Sequence, residues 1–345
     1  MRKIIFLGAI ALADNVDPPV NLTAPVLSTS TPVIGTAITV TPGTWENSPT
    51  LTYQWQRNTG AWVDISGATN SSYTPTIADD FGHTLRVIEI GTNEGGSASA
   101  QSVATEIALT SDELFGWWDT SDLSTLKQNS DGSTAVSALN DPVGYWISKE
   151  GNARAFIQSG ANTIKATYQG AGGGIRFDGG DYLTLYGQST PFTAQTVIAV
   201  VKLEAAGNVG ARVFNQVSAG GNDYNATGHY IPIRRASSLT TLGGYAAGGD
   251  RATVTNANGT KAIIVARHSG AAIVNRINGS NGSSYSHTLN YTPERMRLFS
   301  NMVAANDGPG ETGTGTYYEL LVFRAAVSAA DIAAFEALLT AKWEI

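Results

Sequence analysis

The chain has 345 residues, enough for about two domains. Only 14% of them are charged, 38 are glycine and 42% are hydrophobic, which suits a β-rich, loop-rich chain rather than a helical one. A net charge of -7 and a pI near 5.1 exclude the basic footprint of a general nucleic-acid binder. With no cysteine, disulfides, thiolate metal sites and cysteine nucleophiles are excluded too.

Met1 to Ala13 begins with two basic residues, continues as an apolar run and ends in Ala11-Leu12-Ala13. That pattern fits a short signal peptide. It also fits an apolar arm that docks on a partner, and the run is too short to span a bilayer. Asp17-Pro18-Pro19 is a stiff connector that closes this segment (residues 1–19).

Residues 20–110 carry short apolar runs at even spacing: Ala37 to Val40, Leu51 to Trp55, Trp62 to Ile65, Ser72 to Thr74, Thr84 to Ile88 and Ala98 to Ile107. Such spacing predicts a β-sandwich. Tyr53 and Trp55 fall on one face of their strand and Gln54 and Gln56 on the other, which makes Trp55 the candidate core tryptophan. Pro42-Gly-Thr-Trp45, Gly67 to Pro75 and Asp80 to Val87 resemble the bacterial immunoglobulin-like repeat of phage virion and bacterial surface proteins. Against the disulfide-bearing members of that family, Leu85 and Val87 stand where the corner tyrosine and second cysteine would be, so the resemblance implies an apolar core. Trp45 and Trp62 read as packing residues, and His83 as an exposed turn residue.

Residues 111–345 form the second predicted domain. Gly172 to Leu185 reads as strand, turn, strand, with Asp178-Gly179-Gly180-Asp181 as the turn. Together with Phe115 to Leu126, Tyr317 to Phe323 and the ending Val327 to Trp343, it resembles the concanavalin A-like lectin/glucanase (laminin-G-like) domains of bacterial and phage surface proteins. The resemblance implies a jelly-roll sandwich. Further strand-like runs at Thr193–Leu203, Ala211–Phe214, Gly228–Ile233, Leu239–Tyr245, Lys261–Arg267, Ala272–Ile277 and Arg295–Phe299 are enough for two antiparallel sheets. The expected fold class is therefore all-β: an immunoglobulin-like β-sandwich plus a concanavalin A-like jelly roll with a C-terminal helix. Ser328 is the expected N-cap of that helix, with Asp331 in the capping-box position. Ile332, Phe335, Leu338, Leu339 and Trp343 are its expected apolar face.

Catalytic chemistry is hard to find in the sequence. Glycoside hydrolysis needs two carboxylates flanking the bond, and no paired glutamates share a strand; Glu204, Glu294 and Glu319 are scattered. The four histidines, His83, His229, His268 and His287, show no metal-ligand spacing. The expectation is a protein that is not an enzyme. Calcium is the one plausible ion, with Asp178, Asp181, Asp223 and Asp307 in Gly/Asn-rich loops as candidate ligands. Loops at 218–228, 246–260 and 304–316 could form a glycan-binding rim with Tyr224, Tyr245 and Tyr317 as stacking platforms.

The two resemblances together imply a structural protein on the surface of a phage-like virion: a head decoration, fibre or tail-surface protein, with possible adhesion to cell-surface glycan. Capsid or tail proteins would be its partners, through the N-terminal arm or the immunoglobulin-like domain, and a homo-oligomer is expected. No nucleic-acid partner and no membrane span are expected. A secreted or bacterial surface adhesin is the alternative.

Overall fold

A computed structural model describes residues 16–107, 114–149, 154–158, 160–187, 191–207, 211–217, 230–235, 241–246, 249–256, 258–289, 292–300 and 313–345. The chain divides into two compact units, Met1–Thr110 and Ser111–Ile345.

In the first unit, Thr50–Asn58 lies between Thr84–Asn93 and Trp62–Asp64, and Gly96–Gln101 and Thr105–Glu106 pair with Thr84–Asn93. Val26–Leu27, Ile38–Thr41 and Ser72–Tyr73 form a second, three-stranded sheet. The Thr84–Asn93 strand alternates buried and half-buried residues, as the period-2 rule requires of a strand with one face on a core. Its inward residues Leu85 and Val87 are fully buried and join Ile38, Trp55, Ile65 and Ile107 in one cluster. Trp55 is the centre of that core; its indole N–H donates to the Asn70 carbonyl at 2.9 Å. Trp45 and Trp62 are half-buried edge residues. Trp45 donates to Glu89 Oε1 at 2.7 Å, and the Arg86 guanidinium lies 4.2 Å over Trp62. His83 is half-buried rather than exposed; its N–H donates to the Asp80 carbonyl at the end of a short helical turn.

The second unit is a sandwich of two antiparallel sheets of nine strands each among the described residues. One sheet runs Pro142–Val143, Ala166–Tyr168, Ile175–Asp178, Gly313–Phe323, Gln195–Gly207, Lys261–His268, Ala272–Ile277 and Ser280–Ser286, with Leu114–Asp119 also paired to Gly313–Phe323. The other runs Leu126–Lys127, Tyr145–Ile147, Ala155–Ile157, Leu183–Tyr186, Arg295–Leu298, Arg212–Val217, Tyr230–Arg235, Thr241–Ala246 and Gly249–Thr255. Both sheets feed a single core that includes Trp118, Trp146, Phe156, Phe177, Phe214, Leu298, Tyr317 and Leu320.

Alternate residues of the first sheet face away from that core, among them Ile198, Val200, Ile263, Val265 and Leu321, and they too are buried. The helix Ala329–Trp343 covers this outer face. Ser328 caps it as expected, accepting from the Asp331 N–H at 3.1 Å. Ile332, Phe335, Leu339 and Trp343 are buried; Leu338 is only half-buried, on the flank of the stripe. Glu336 is buried instead and pairs with Arg276 at 2.8 Å. Phe335 meets Phe323 and Trp343 meets Tyr318.

The central strand Gly313–Phe323 carries a β-bulge. Glu319 lies opposite Val200 but Tyr317 lies opposite Val201, so Tyr318 is the extra residue. Tyr317 therefore points into the core, while Tyr318 and Glu319, although consecutive, both meet the helix.

Candidate functional site

The surface feature best suited to a ligand is a ledge on the meander Tyr230–Arg235, Thr241–Ala246 and Gly249–Thr255. Tyr245 stands directly opposite Asp250 across the last pair, and Arg234 opposite Gly243. The Arg234 guanidinium lies 4.4 Å over the Tyr245 ring and makes an ion pair with Asp250 at 2.8 Å. Tyr245 and both charged side chains are half-buried, so the group is held by packing yet reaches solvent. Such a tyrosine offers an apolar ring and a polar tip. Beside it the guanidinium supplies donors and the carboxylate acceptors, the complement that the hydroxyls of a sugar need.

The other sequence candidates do not join this ledge. Tyr317 is fully buried; its hydroxyl donates to the Val213 carbonyl of the opposite sheet at 2.8 Å, and its ring packs on Phe177 and Phe299. The expectation of a stacking platform at Tyr317 is corrected: the bulge one residue on turns its ring inward. Tyr224, Asp223, Asp307 and His229 lie outside the described residues.

Asp178 and Asp181 are brought together, but as a turn. Asp178 is exposed, whereas Asp181 is buried and its Oδ2 accepts from the Asp178 N–H at 2.9 Å. Burial pushes the Asp181 carboxyl up to about 7, and the neighbouring Asp178 charge adds to the rise against the pull of the Asp178 N–H and Arg176. Only Oδ2 of Asp181 is taken up by the turn, its Oδ1 being buried without a donor among the described residues, and Asp178 faces outward, so the pair does not present the six to eight oxygens that calcium takes. Among the described residues no three acidic or histidine side chains are grouped to hold a metal.

A buried charged socket, for which the sequence carries no local signal, lies beneath the helix. Asp119 lies directly opposite Glu319 on neighbouring strands, and both are buried. Like charges so placed repel, and lysines resolve the conflict. Lys342 Nζ donates to Asp119 Oδ2 and Glu319 Oε2, both at 2.7 Å, and Lys149 donates to Asp119 Oδ2 at 3.2 Å. Trp117 donates its indole N–H to Glu319 Oε1 at 2.6 Å, and Trp343 to Oε2 at 2.7 Å. Ser121 donates to Asp119 Oδ1 through its N–H and its hydroxyl. Burial would raise Asp119, but Lys342, Ser121 and Lys149 outweigh it and hold the carboxyl below its ordinary value. Burial wins at Glu319, which is raised despite Lys342, with the Asp119 charge adding to the rise. Every carboxylate oxygen of the socket accepts from a donor within the protein, so the arrangement fastens the last turn of the helix to the sheet. Beside it a pocket of about 310 Å³ is lined by Ser121, Gly172, Lys261, Lys342, Trp343 and Glu344.

Glu204, another of the scattered glutamates, also finds a partner. Glu204 makes two bonds of 3.1 Å to the Arg176 guanidinium. Arg235 donates to the Glu204 carbonyl. No helix among the described residues is long and apolar enough to cross a membrane.

No family model matches the chain, and no curated protein matches it. Among solved structures it is similar to a Trypanosoma rangeli sialidase in complex with sialic acid, at 8% identity and a TM-score of 0.45, over 75% of this chain and 43% of that one. It is also similar to domain 4 of AbnA, an extracellular arabinanase of Geobacillus stearothermophilus, in complex with arabinotriose, at 15% identity and a TM-score of 0.35, over 65% of this chain and 98% of that one. A third is the SAP-like pentraxin of Limulus polyphemus, at 15% identity and a TM-score of 0.33, over 46% of this chain and 75% of that one. The chain spans less than half the length of the sialidases that it matches. At these identities the likeness is one of fold alone: an all-β sandwich. It does correct one expectation. Structures similar to this chain include enzymes, the sialidases, so the assignment of the chain as not an enzyme is withdrawn.

Proposed function

We propose that the protein is a surface adhesion protein of a phage-like particle, and that its second unit holds a cell-surface glycan at the Tyr245 ledge. The observation that carries the glycan reading is the ledge itself: a half-buried tyrosine steadied by a stacked guanidinium, with a carboxylate ion-paired beside it. The particle location rests on the sequence resemblance of the first unit to immunoglobulin-like repeats of virion proteins. In this reading the apolar segment Met1 to Ala13 docks on capsid or tail proteins, and copies of the chain assemble on the particle.

Two measurements test it. On an array of bacterial surface glycans, the protein should bind at least one class, and Tyr245→Ala should weaken that binding about tenfold, the loss of about 1.4 kcal/mol of contact. No binding above background, or binding indifferent to Tyr245, overturns the glycan reading. Intact-mass measurement on purified particles and on culture supernatant tests the location. A chain that co-purifies with particles and retains the first thirteen residues supports it. A chain found only in supernatant and beginning at Asp14 replaces it with a secreted adhesin.

A further inference from the structure

His268 ends the Lys261–His268 strand and is fully buried, with its ring on the core side like Ile264 and Ala266 before it. Its Nδ1 accepts from the Gly270 N–H at 3.0 Å, and its Nε2 lies 2.9 Å from Nδ1 of His287, which follows the Ser280–Ser286 strand. A backbone N–H can only donate. Nδ1 of His268 is therefore the bare nitrogen of a neutral ring, and the proton sits on Nε2. That proton is given to His287 Nδ1, so the second ring also has its facing nitrogen bare. One tautomer satisfies both contacts, and it holds both rings uncharged.

A proton added to this pair has nowhere to go without breaking a bond. On His268 Nδ1 it faces the Gly270 N–H; on His287 Nδ1 it faces the His268 N–H. The same corner is tied by backbone bonds from His287 N–H to the Ala271 carbonyl and from Leu289 N–H to the Gly270 carbonyl. Its two strand neighbours are uncharged: Gln195 lies opposite it on one side and Ile273 on the other. Gln195 is joined by two amide hydrogen bonds to Gln216 of the opposite sheet. Arg267 points the other way and donates to the Val327 carbonyl. Among the described residues, His287 is the one titratable group whose charge bears on His268.

We propose that the His268–His287 pair is an acid-released latch, which fastens the turn after the Lys261–His268 strand to the exit of the Ser280–Ser286 strand while both rings are neutral. Burial, and then the His287 charge, pull His268 down to about 4, and burial lowers His287. The latch is therefore closed at neutral pH. It opens as acidification forces protons onto rings whose ordinary value is 6.5.

The test is NMR titration of the intact chain together with amide hydrogen exchange at pH 7 and 4.5. Both histidines should titrate below 6.5. The Gly270 and Leu289 amides, corrected for intrinsic pH dependence, should lose protection by about tenfold or more at the lower pH. In the double variant His268→Gln/His287→Gln that pH-dependent loss should vanish. Histidines titrating at the ordinary value, or equal protection at both pH values in the wild-type chain, overturn the proposal. So does the same acid loss in the double variant. If that variant does not fold, the wild-type titration alone decides.

Discussion

Beneath the C-terminal helix, Asp119, Glu319, Lys149 and Lys342 are gathered as charges. At the end of the sandwich, Gln195, Gln216, His268 and His287 are gathered without any. Both sets are hydrogen-bonded, as buried polar groups must be, but they fail in different ways. The charged socket depends on opposite charges staying together, so losing one partner leaves a bare ion. The neutral corner depends on each hydrogen being on the right atom, so gaining a proton breaks it. The contrast teaches that acid should disturb the corner and relieve a damaged socket.

The largest effect should come from Lys342→Met. It removes the cation shared by two buried carboxylates, a loss of about 3 kcal/mol when one partner of a buried pair is deleted. Urea denaturation at pH 7 measures it, and Lys342→Met/Asp119→Asn/Glu319→Gln should recover a large part, because no bare charge is left. The pH dependence of Lys342→Met sharpens the comparison. Its deficit should be greatest at neutral pH and shrink on acidification, since protonating either carboxylate ends the repulsion. A deficit that grows toward pH 4 would mean that the lysine acts through packing alone.

Next is the helix seam. Leu339→Ala removes a buried side chain from the face packed on the sheet and should cost about 2–3 kcal/mol. Leu338→Ala, from the half-buried flank, should cost about 1 kcal/mol or less. Equal costs would show that the helix packs on a wider face than Ile332, Phe335, Leu339 and Trp343 define.

These two regions were unequally legible in the sequence. The helix could be read because its signals are local: Ser328 and Asp331 are three residues apart, and its apolar stripe recurs at helical spacing. Helical spacing includes Leu338 in the stripe, yet the structure leaves it half-buried, because spacing alone does not say which flank the sheet leaves open. Core tryptophan Trp55 and the inward Leu85 and Val87 were legible from strand alternation. The socket was not. Asp119 and Glu319 are brought together by strand pairing across some two hundred residues, and a β-bulge sets the direction of Glu319. Nothing in Tyr317-Tyr-Glu-Leu announces a bulge, so Tyr317 read as a surface ring and proved a core one. The histidine pair gave no signal either: His268 and His287 are 19 residues apart, with a full hairpin between them.

The smallest effect concerns how the socket and the corner share the acid limb of stability. The folded value of Asp119 is depressed below 3.8, so its contribution is present above that value and fades as pH falls through the folded one. Glu319 is raised above 4.5, so its contribution is complete in acid and declines as pH climbs through the raised value. The two carboxylates therefore act with opposite signs in separate ranges, Asp119 below 3.8 and Glu319 above 4.5. At His268 the folded value near 4 lies below 6.5, so its contribution, present above 6.5, is lost steadily as pH drops toward 4. Asp181, raised to about 7, works in the opposite sense over that range, so the histidine shows as a difference between chains: from pH 6.5 to 4.5 the wild type should lose stability relative to His268→Gln with the slope of about one proton. If the difference between wild type and His268→Gln is the same at pH 6.5 and 4.5, the histidine corner is not the acid-sensitive region.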